Sequence, residues 1–165
     1  MIPDDDRLLK LSRETGMWLA ARDEKLATAE SCTSGWIAKA ITDVPGSSEW
    51  FLAGLATYSD GAKTALLGVP AALLKAEGAV SKAVVEAMAK GAIERTGADR
   101  SVAVSGIAGP AGGTEEKPVG MVWFAWAHRD GEEIVSKTRL ERFQGDREGI
   151  RRQTVARALT GVPMS

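Results

Sequence analysis

The sequence predicts an α/β fold, a three-layer α/β/α sandwich around a mixed, mostly parallel sheet of about five strands. Helix-type and strand-type hydrophobic patterns alternate from the start of the chain to residue 105, which is typical of a parallel sheet covered by helices. Two further strand patterns then form a hairpin before a last helix, and a hairpin adds antiparallel pairing to the sheet. Because the chain has 165 residues, 44% of them hydrophobic and 26% charged, we expect one domain spanning residues 1–165.

The first part of the chain predicts a helix, a strand, a second helix and a second strand. Asp4 to Asp6 can cap a helix that ends near Arg22–Asp23. The apolar face of this helix recurs at helical spacing through Leu8, Leu11, Thr15, Trp18 and Leu19. The next elements in order are strand Lys25–Ala29, helix Trp36–Ile41, turn Pro45–Ser48 and strand Glu49–Tyr58. This second strand is rich in apolar and aromatic residues and is expected to be buried, with Gly54 marking a bend or a close backbone approach.

The remaining elements follow from the same periodicities. Three helices come next: Gly61–Val69, one that starts in Pro70–Leu74, and one that Ser81 caps and that runs to about Arg95. The apolar run of residues 101–105 predicts a strand that enters a glycine-rich loop. A hairpin and a final helix complete the chain, with strands Pro118–Ala127 and Glu133–Leu140, turn Arg129–Gly131 and helix Asp146–Leu159.

Composition excludes several classes of function. The net charge of −1 provides no basic field for nucleic acid. No apolar run approaches the ~20 residues of a membrane span, and the acidic N-terminus is not that of a signal peptide. The single cysteine, Cys32, excludes an internal disulfide and suits a cytoplasmic protein. With one cysteine, one histidine and no close cluster of ligands, we expect no structural or catalytic zinc site.

Three segments are expected to share the carboxyl edge of the parallel strands, where ligands bind in such sheets. The first, Ser31 to Gly35, places small hydroxyl residues at a helix N-terminus, where anions bind well, although simple capping explains it too. The second, Tyr58 to Lys63, holds a phenol and an amine. The third, Ser105 to Gly113, has glycines that let backbone N–H groups approach a phosphate. The alternative is that this loop is only a solvent-exposed connection between two strands.

A serine–lysine pair is the nucleophilic chemistry that these segments allow. The only histidine, His128, sits beside a turn, so no Ser-His-Asp triad is expected. A desolvated lysine such as Lys63 can act as the base for a serine hydroxyl, and Tyr58 can relay the proton or orient the substrate. The alternatives are that Lys63 is a solvated lysine on a helix and that Tyr58 is an ordinary aromatic residue at the end of a strand.

Six short stretches give the chain a family resemblance. They are Thr28–Thr33, Pro45–Ser48, Tyr58–Lys63, Gly78–Ser81, Ser105–Pro110 and Lys117–Gly120. Together they resemble the CinA C-terminal domain family, and the resemblance runs from about residue 8 to residue 160. Stand-alone members of this family are nicotinamide-nucleotide amidases, and many carry the name competence/damage-inducible protein.

The resemblance implies hydrolysis of the amide of nicotinamide mononucleotide (NMN) to nicotinate mononucleotide and ammonia, a step of pyridine nucleotide salvage, without metal or cofactor. It implies that Ser48 and Lys63 are the catalytic pair, supported by Ser31, Tyr58, Ser105 and Arg147. We expect the substrate to be held by two loops and one arginine: Thr33, Ser34 and Gly35; Ser105, Gly106 and Gly109; and Arg147.

Three departures from the family pattern bear on activity. Ser34 and Ala111 stand where the family usually has glycine, and Ser105 stands where it usually has threonine. These changes support an alternative function, a nucleotide-binding or stress- and competence-linked regulatory module with little turnover.

The implied pair also raises a geometric conflict. Ser48 precedes the strand Glu49–Tyr58 and Lys63 follows it, and ten extended residues span roughly 30 Å. A sharp bend at Gly54, a homodimer or larger homo-oligomer with a shared site, or Ser31 as the nucleophile would each resolve it. The sequence prediction favours Ser48 and at least a dimer.

Overall fold

Five strands and six helices make up the fold in a computed structural model that describes residues 1–165. The strands are β1 (Leu26–Glu30), β2 (Phe51–Ala56), β3 (Arg100–Gly106), β4 (Met121–Asp130) and β5 (Glu133–Arg142). The helices are α1 (Asp5–Ala20), α2 (Trp36–Thr42), α3 (Asp60–Leu67), α4 (Ala71–Glu77), α5 (Lys82–Thr96) and α6 (Arg147–Gly161). Short 3-10 turns lie at Ser47–Glu49 and Val162–Met164.

The strands form one mixed sheet in the order β2-β1-β3-β4-β5. β1 pairs in parallel with both β2 and β3, whereas β3–β4 and β4–β5 are antiparallel. This arrangement confirms the predicted three-layer α/β class and the predicted hairpin. No helix of the structure combines the length and the apolar character needed to cross a membrane.

Two separate hydrophobic layers cover the two faces of the sheet. Helices α1, α2 and α6 pack on one face against large strand residues such as Val104, Phe124 and Trp126. Helices α3, α4 and α5 cover the other face, where the fully buried apolar strand residues are all alanines: Ala27, Ala29, Ala103, Ala125 and Ala127. Alternation along each strand separates the two sets, and the alanines leave room for α5 to lie close to the sheet.

Helix starts follow the predicted capping residues. The side chain of Asp4 accepts a hydrogen bond from Arg7 N at 2.8 Å, and Ser81 Oγ accepts one from Val84 N at 3.3 Å. Each cap satisfies one of the N–H groups that the first helical turn leaves without a partner.

Strand β2 differs from the prediction of a buried strand. It lies at the edge of the sheet and its residues alternate between exposed and half-buried, with Leu52 46% exposed. An apolar run is compatible with a central or an edge strand, and only the pairing order decides between them. Gly54 marks a close approach rather than a bend, since a Cβ atom there would lie 2.6 Å from Ala38 Cβ in α2.

Candidate active site

Three loops meet where the parallel strands end, as predicted. One turn follows β1, a short link follows β2 and leads into α3, and residues 107–120 follow β3. Glu30, the last residue of β1, pairs with Ala56 of β2 and Val104 of β3, so the three strand ends lie side by side. The carboxyl edge therefore combines side chains that are far apart in sequence.

Lys63 lies in the first turn of α3 and is fully buried. Its Nζ atom lies 3.0 Å from Ser31 Oγ, 2.9 Å from Thr57 O and 3.2 Å from Tyr58 O. None of the ion pairs in the structure includes this amine. Burial lowers the pKa of Lys63 below its usual 10.5, and the charge of Asp60 opposes that shift. A buried amine without a carboxylate partner is suited to lose its proton.

The three contacts of the Lys63 amine suit both of its protonation states, because a charged ammonium can donate to all three oxygens. Two partners, Thr57 O and Tyr58 O, are carbonyls and can only accept hydrogen bonds. When the amine is neutral, these two carbonyls take its two N–H groups and its lone pair faces Ser31 Oγ. In this state the Ser31 hydroxyl donates to Lys63, which is the arrangement that activates a serine.

Ser31 is held by backbone bonds on both sides of its side chain. Its N–H donates to Val104 O at 3.0 Å, and its carbonyl accepts from Ser34 N at 3.1 Å. The N–H groups of Cys32 and Thr33, which follow it in the turn, donate to no protein acceptor. The turn thus fixes Ser31 and leaves two donors beside it.

Glu30 is a fully buried carboxylate that the sequence analysis did not assign to the site. Three N–H groups at the start of α2 donate to it at 2.9–3.0 Å, namely those of Gly35, Ile37 and Ala38. The Thr33 and Thr28 hydroxyls also donate to it, at 2.6 and 3.2 Å. Glu30 therefore occupies the N-terminus of α2, where the sequence had placed a substrate anion. A glutamate directly before a turn of small hydroxyl residues was the signal that could have indicated this.

The glycine-rich loop has the free donors that an anion needs. The N–H groups of Ala108, Gly109, Ala111, Gly112 and Gly113 donate to no protein acceptor. Arg147, at the start of α6, donates from Nη1 to Gly109 O at 2.6 Å and approaches the Tyr58 hydroxyl at 3.4 Å. Both side chains are exposed, so they remain accessible to a ligand. No contact joins the Tyr58 hydroxyl to Lys63, which favours a role in orienting the substrate over one as a proton relay.

Two adjoining cavities follow this edge. The smaller, of about 190 Å³, is lined by Cys32, Tyr58, Arg147 and the loop from Gly106 to Gly112. The larger, of about 860 Å³, shares Ala108 and Arg147 with it and extends to Trp36 and Arg151. A ligand at this edge can therefore contact Cys32, the glycine loop and the start of α6 together, whereas Ser31 and Lys63 line neither of these two cavities.

A family model of the CinA C-terminal domain matches residues 8–164 of the chain. The chain belongs to the CinA C-terminal domain family. It is 54% identical to the nicotinamide-nucleotide amidohydrolase PncC of Escherichia coli (strain K12) over 155 residues, which cover 94% of this chain and 92% of that protein. It is 59% identical to a CinA-like protein of Akkermansia muciniphila over 144 residues, which cover 87% of this chain but only 34% of that longer protein.

Solved structures of CinA proteins have the same fold. The competence damage-inducible protein A of Klebsiella pneumoniae superposes with a TM-score of 0.90 at 38% identity, covering 96% of both chains. A CinA superfamily protein from Escherichia coli gives 0.88 at 38% identity, covering 97% of this chain and 91% of the other.

Ser48, which the CinA resemblance paired with Lys63, lies at the opposite edge of the sheet. It belongs to the turn Ser47–Glu49 that precedes β2, and the six residues of that strand span roughly 20 Å. β2 stays paired in parallel with β1 from Phe51 to Ala56, and a register shift between Phe51 and Ala53 does not reverse the strand, so no bend returns Ser48 to the carboxyl edge. Within one chain, Lys63 contacts Ser31 and not Ser48.

The three departures from the CinA pattern differ in consequence. Ser34 has a φ of 49°, in the left-handed region that favours glycine, so its side chain strains the backbone. Ala111 is exposed in the glycine loop, and its φ is not positive, so its side chain causes no strain of the kind at Ser34. Ser105 is 1% exposed within β3, and neither cavity of the site is lined by it.

Several predicted binding residues have mainly structural contacts. The Thr33 hydroxyl and the Gly35 N–H are used by Glu30, as described above. Gly106 is needed in the sheet, since a Cβ there would lie 2.6 Å from Val122 Cγ2. Burial and the charge of Glu30 raise the pKa of the Cys32 thiol to about 12, so this cysteine carries no thiolate to act as a nucleophile.

Proposed function

We propose that this chain hydrolyses the amide of nicotinamide mononucleotide, giving nicotinate mononucleotide and ammonia, with Ser31 as nucleophile and Lys63 as base. The single observation that carries the mechanism is the 3.0 Å contact between Ser31 Oγ and the buried Lys63 Nζ. The substrate follows from the similarity to PncC proteins over most of both chains.

In the first step the Ser31 oxygen attacks the amide carbonyl carbon while Lys63 takes the hydroxyl proton. The carbonyl oxygen becomes an oxyanion, which we assign to the free N–H groups of Cys32 and Thr33. Collapse of this intermediate breaks the C–N bond, and Lys63 returns the proton to the leaving nitrogen. Ammonia leaves, and a nicotinoyl ester remains on Ser31.

In the second step water takes the position that ammonia has left. Lys63, again neutral, accepts a proton from the water as its oxygen attacks the ester carbonyl carbon. Ser31 leaves with the proton from Lys63, so the enzyme returns to its starting state. Water contributes one oxygen to the product carboxylate, and no redox change occurs.

The phosphate of the substrate is assigned to the glycine loop. Its free N–H groups and the exposed Arg147 form a donor set for a phosphate, and arginine can bind one through two parallel hydrogen bonds. The exposed ring of Tyr58 beside the smaller cavity is assigned to the cationic pyridine ring, which an aromatic face attracts.

The test is the release of ammonia from NMN by the purified chain, with nicotinate mononucleotide formed in equal amount. Wild type should turn over, and Ser31→Ala should not. Binding of NMN without product formation would instead favour the regulatory module. Ammonia release by Ser31→Ala at the wild-type rate would remove Ser31 from the mechanism.

We also propose a homodimer with the exposed edge of β2 as its interface. β2 has a strand neighbour on one side only, and no charged residue or proline lies between Trp50 and Tyr58. Antiparallel pairing of two such edges would lay the start of one β2 beside the end of the other. This is the arrangement that would bring Ser48 of the partner subunit near Lys63, so the shared site stays a prediction.

The shared site requires Ser48→Ala to be inactive by itself, so an active Ser48→Ala enzyme rejects it at once. If that variant is inactive, mixing it with a second inactive variant completes the test. Ser48→Ala subunits and Lys63→Ala subunits should regain part of the activity only if each site takes one residue from each chain. No recovery in a mixture shown to contain heterodimers would reject the shared site. We further propose that the chain forms one domain and works in the cytoplasm.

A further inference from the structure

One turn of α6 carries two arginines that hold the two catalytic loops. Arg147 donates to Gly109 O in the glycine loop. Four residues later, on the same side of the helix, Arg151 donates from Nε to Cys32 O at 3.1 Å and from Nη2 to Thr33 O at 3.0 Å. The carbonyls that Arg151 holds belong to the two residues that follow Ser31.

We propose that Arg151 is a positioning residue for Ser31, a role that rests on the proposed Ser31 mechanism. The peptide units Cys32–Thr33 and Thr33–Ser34 are planar, so fixing each carbonyl also fixes the N–H at its other end. The first of these N–H groups is the free donor of Thr33, and the second donates to Ser31 O. Arg151 therefore controls the direction of an oxyanion donor and the conformation of the residue that carries the nucleophile.

Only an arginine can make this contact in full. The planar guanidinium presents donors in a fixed fork, which here spans two consecutive carbonyls. Its Cζ lies 5.1 Å from the centre of the Trp36 ring, and that packing restricts the side chain further. A lysine at this position has one nitrogen and cannot hold both peptide planes in the same geometry.

The next residue supplies a matched control. Arg152 packs on the same Trp36 ring with its Cζ also at 5.1 Å from the centre. Its hydrogen bonds go to Glu148, Asp5 and Pro3 O, and none reaches the Ser31 turn. Replacing Arg152 removes an arginine from the same helix and ring while leaving the catalytic loop untouched.

The experiment compares Arg151→Lys and Arg151→Ala with Arg152→Lys and Arg152→Ala. For the Arg151 variants we expect kcat for NMN to fall about 10- to 100-fold with KM within about threefold, since small misplacements of reacting groups have effects of this size. Labelling of Ser31 by a small organofluorophosphonate should slow in the same proportion. Added methylguanidinium should restore part of the kcat of Arg151→Ala, and the Arg152 variants should stay within about twofold of wild type in both assays.

The other outcomes either overturn the positioning role of Arg151 or show that the proposed function, and not that role, has failed. Unchanged kcat and labelling in Arg151→Lys and Arg151→Ala, or a change in KM alone, overturns the positioning role. A lowered melting temperature without recovery by methylguanidinium shows a merely structural role. If wild type releases no ammonia but Ser31 is labelled, the proposed substrate is wrong, and the labelling rates alone decide the role of Arg151. If wild-type Ser31 is not labelled, its role as nucleophile fails together with the positioning of it.

Discussion

Replacing Lys63 by methionine should change how the stability of the fold depends on pH. Burial lowers the pKa of Lys63 in the folded chain, whereas in the unfolded chain it returns to 10.5. Between those two values the unfolded state binds more protons than the folded state, so the wild-type free energy of unfolding rises with pH. One such group makes the free energy of unfolding rise by up to about 1.4 kcal/mol per pH unit. This slope is steepest at pH values above the pKa of Lys63 in the folded chain, and it falls to zero as the pH passes 10.5. The variant Lys63→Met has no such group.

The assay is urea unfolding of wild type and Lys63→Met at closely spaced pH values from neutral to about pH 10. The free energy of wild type minus that of the variant should increase with pH. Lys75→Met, which removes an exposed lysine of α4, is the control and should show a flat difference. A flat or decreasing difference for Lys63→Met would refute the inference that burial lowers this pKa.

The same lysine sets a prediction for activity. kcat/KM for NMN should rise with pH as the Lys63 amine loses its proton, with its midpoint below 10.5. Lys63→Arg keeps the positive charge but does not deprotonate, so kcat should fall by about 10²- to 10⁴-fold in a chain that still folds. Near-normal turnover by this variant would remove Lys63 from the mechanism.

Three further predictions test the substrate site and its support. Nicotinamide riboside, which lacks the phosphate, should have a kcat/KM at least about tenfold below that of NMN, because charge-assisted hydrogen bonds are each worth about 1.5–3 kcal/mol. Arg147→Gln should reduce this difference in kcat/KM between the two substrates. Equal kcat/KM for both substrates in wild type would reject the phosphate assignment. Ser34→Gly should raise the free energy of unfolding in urea by about 0.5–1 kcal/mol, because glycine relieves the φ of 49° at some cost in chain entropy; a loss of stability would contradict this. Glu30→Gln should lower the free energy of unfolding by about 1–3 kcal/mol, because the new amide nitrogen would face N–H donors of α2 that need an acceptor. An unchanged unfolding curve would show that these donors do not need the carboxylate.

Local patterns determined most of the secondary structure. Helical spacing from Leu8 to Leu19 predicted α1, and capping residues such as Asp4 and Ser81 marked where helices begin. These features depend on residues within a few positions of one another, so they can be read without knowing the fold. The rule that parallel strands share a carboxyl edge was also enough to predict which three loops meet.

Only the tertiary structure decided which side chains touch there. The sequence already indicated that a strand separates Ser48 from Lys63, but it left a bend, a shared site and Ser31 as three ways to resolve the conflict. Only the structure removes the bend and places Ser31 Oγ against Lys63 Nζ within one chain. The partners of Glu30 and Arg151 were hidden for the same reason, since a charged residue in a sequence looks alike whether it is solvated or holds a turn. Sequence determined the elements and the edge because those follow from short-range periodicity. Strand order and side-chain contacts depend on long-range packing, which a single sequence does not display.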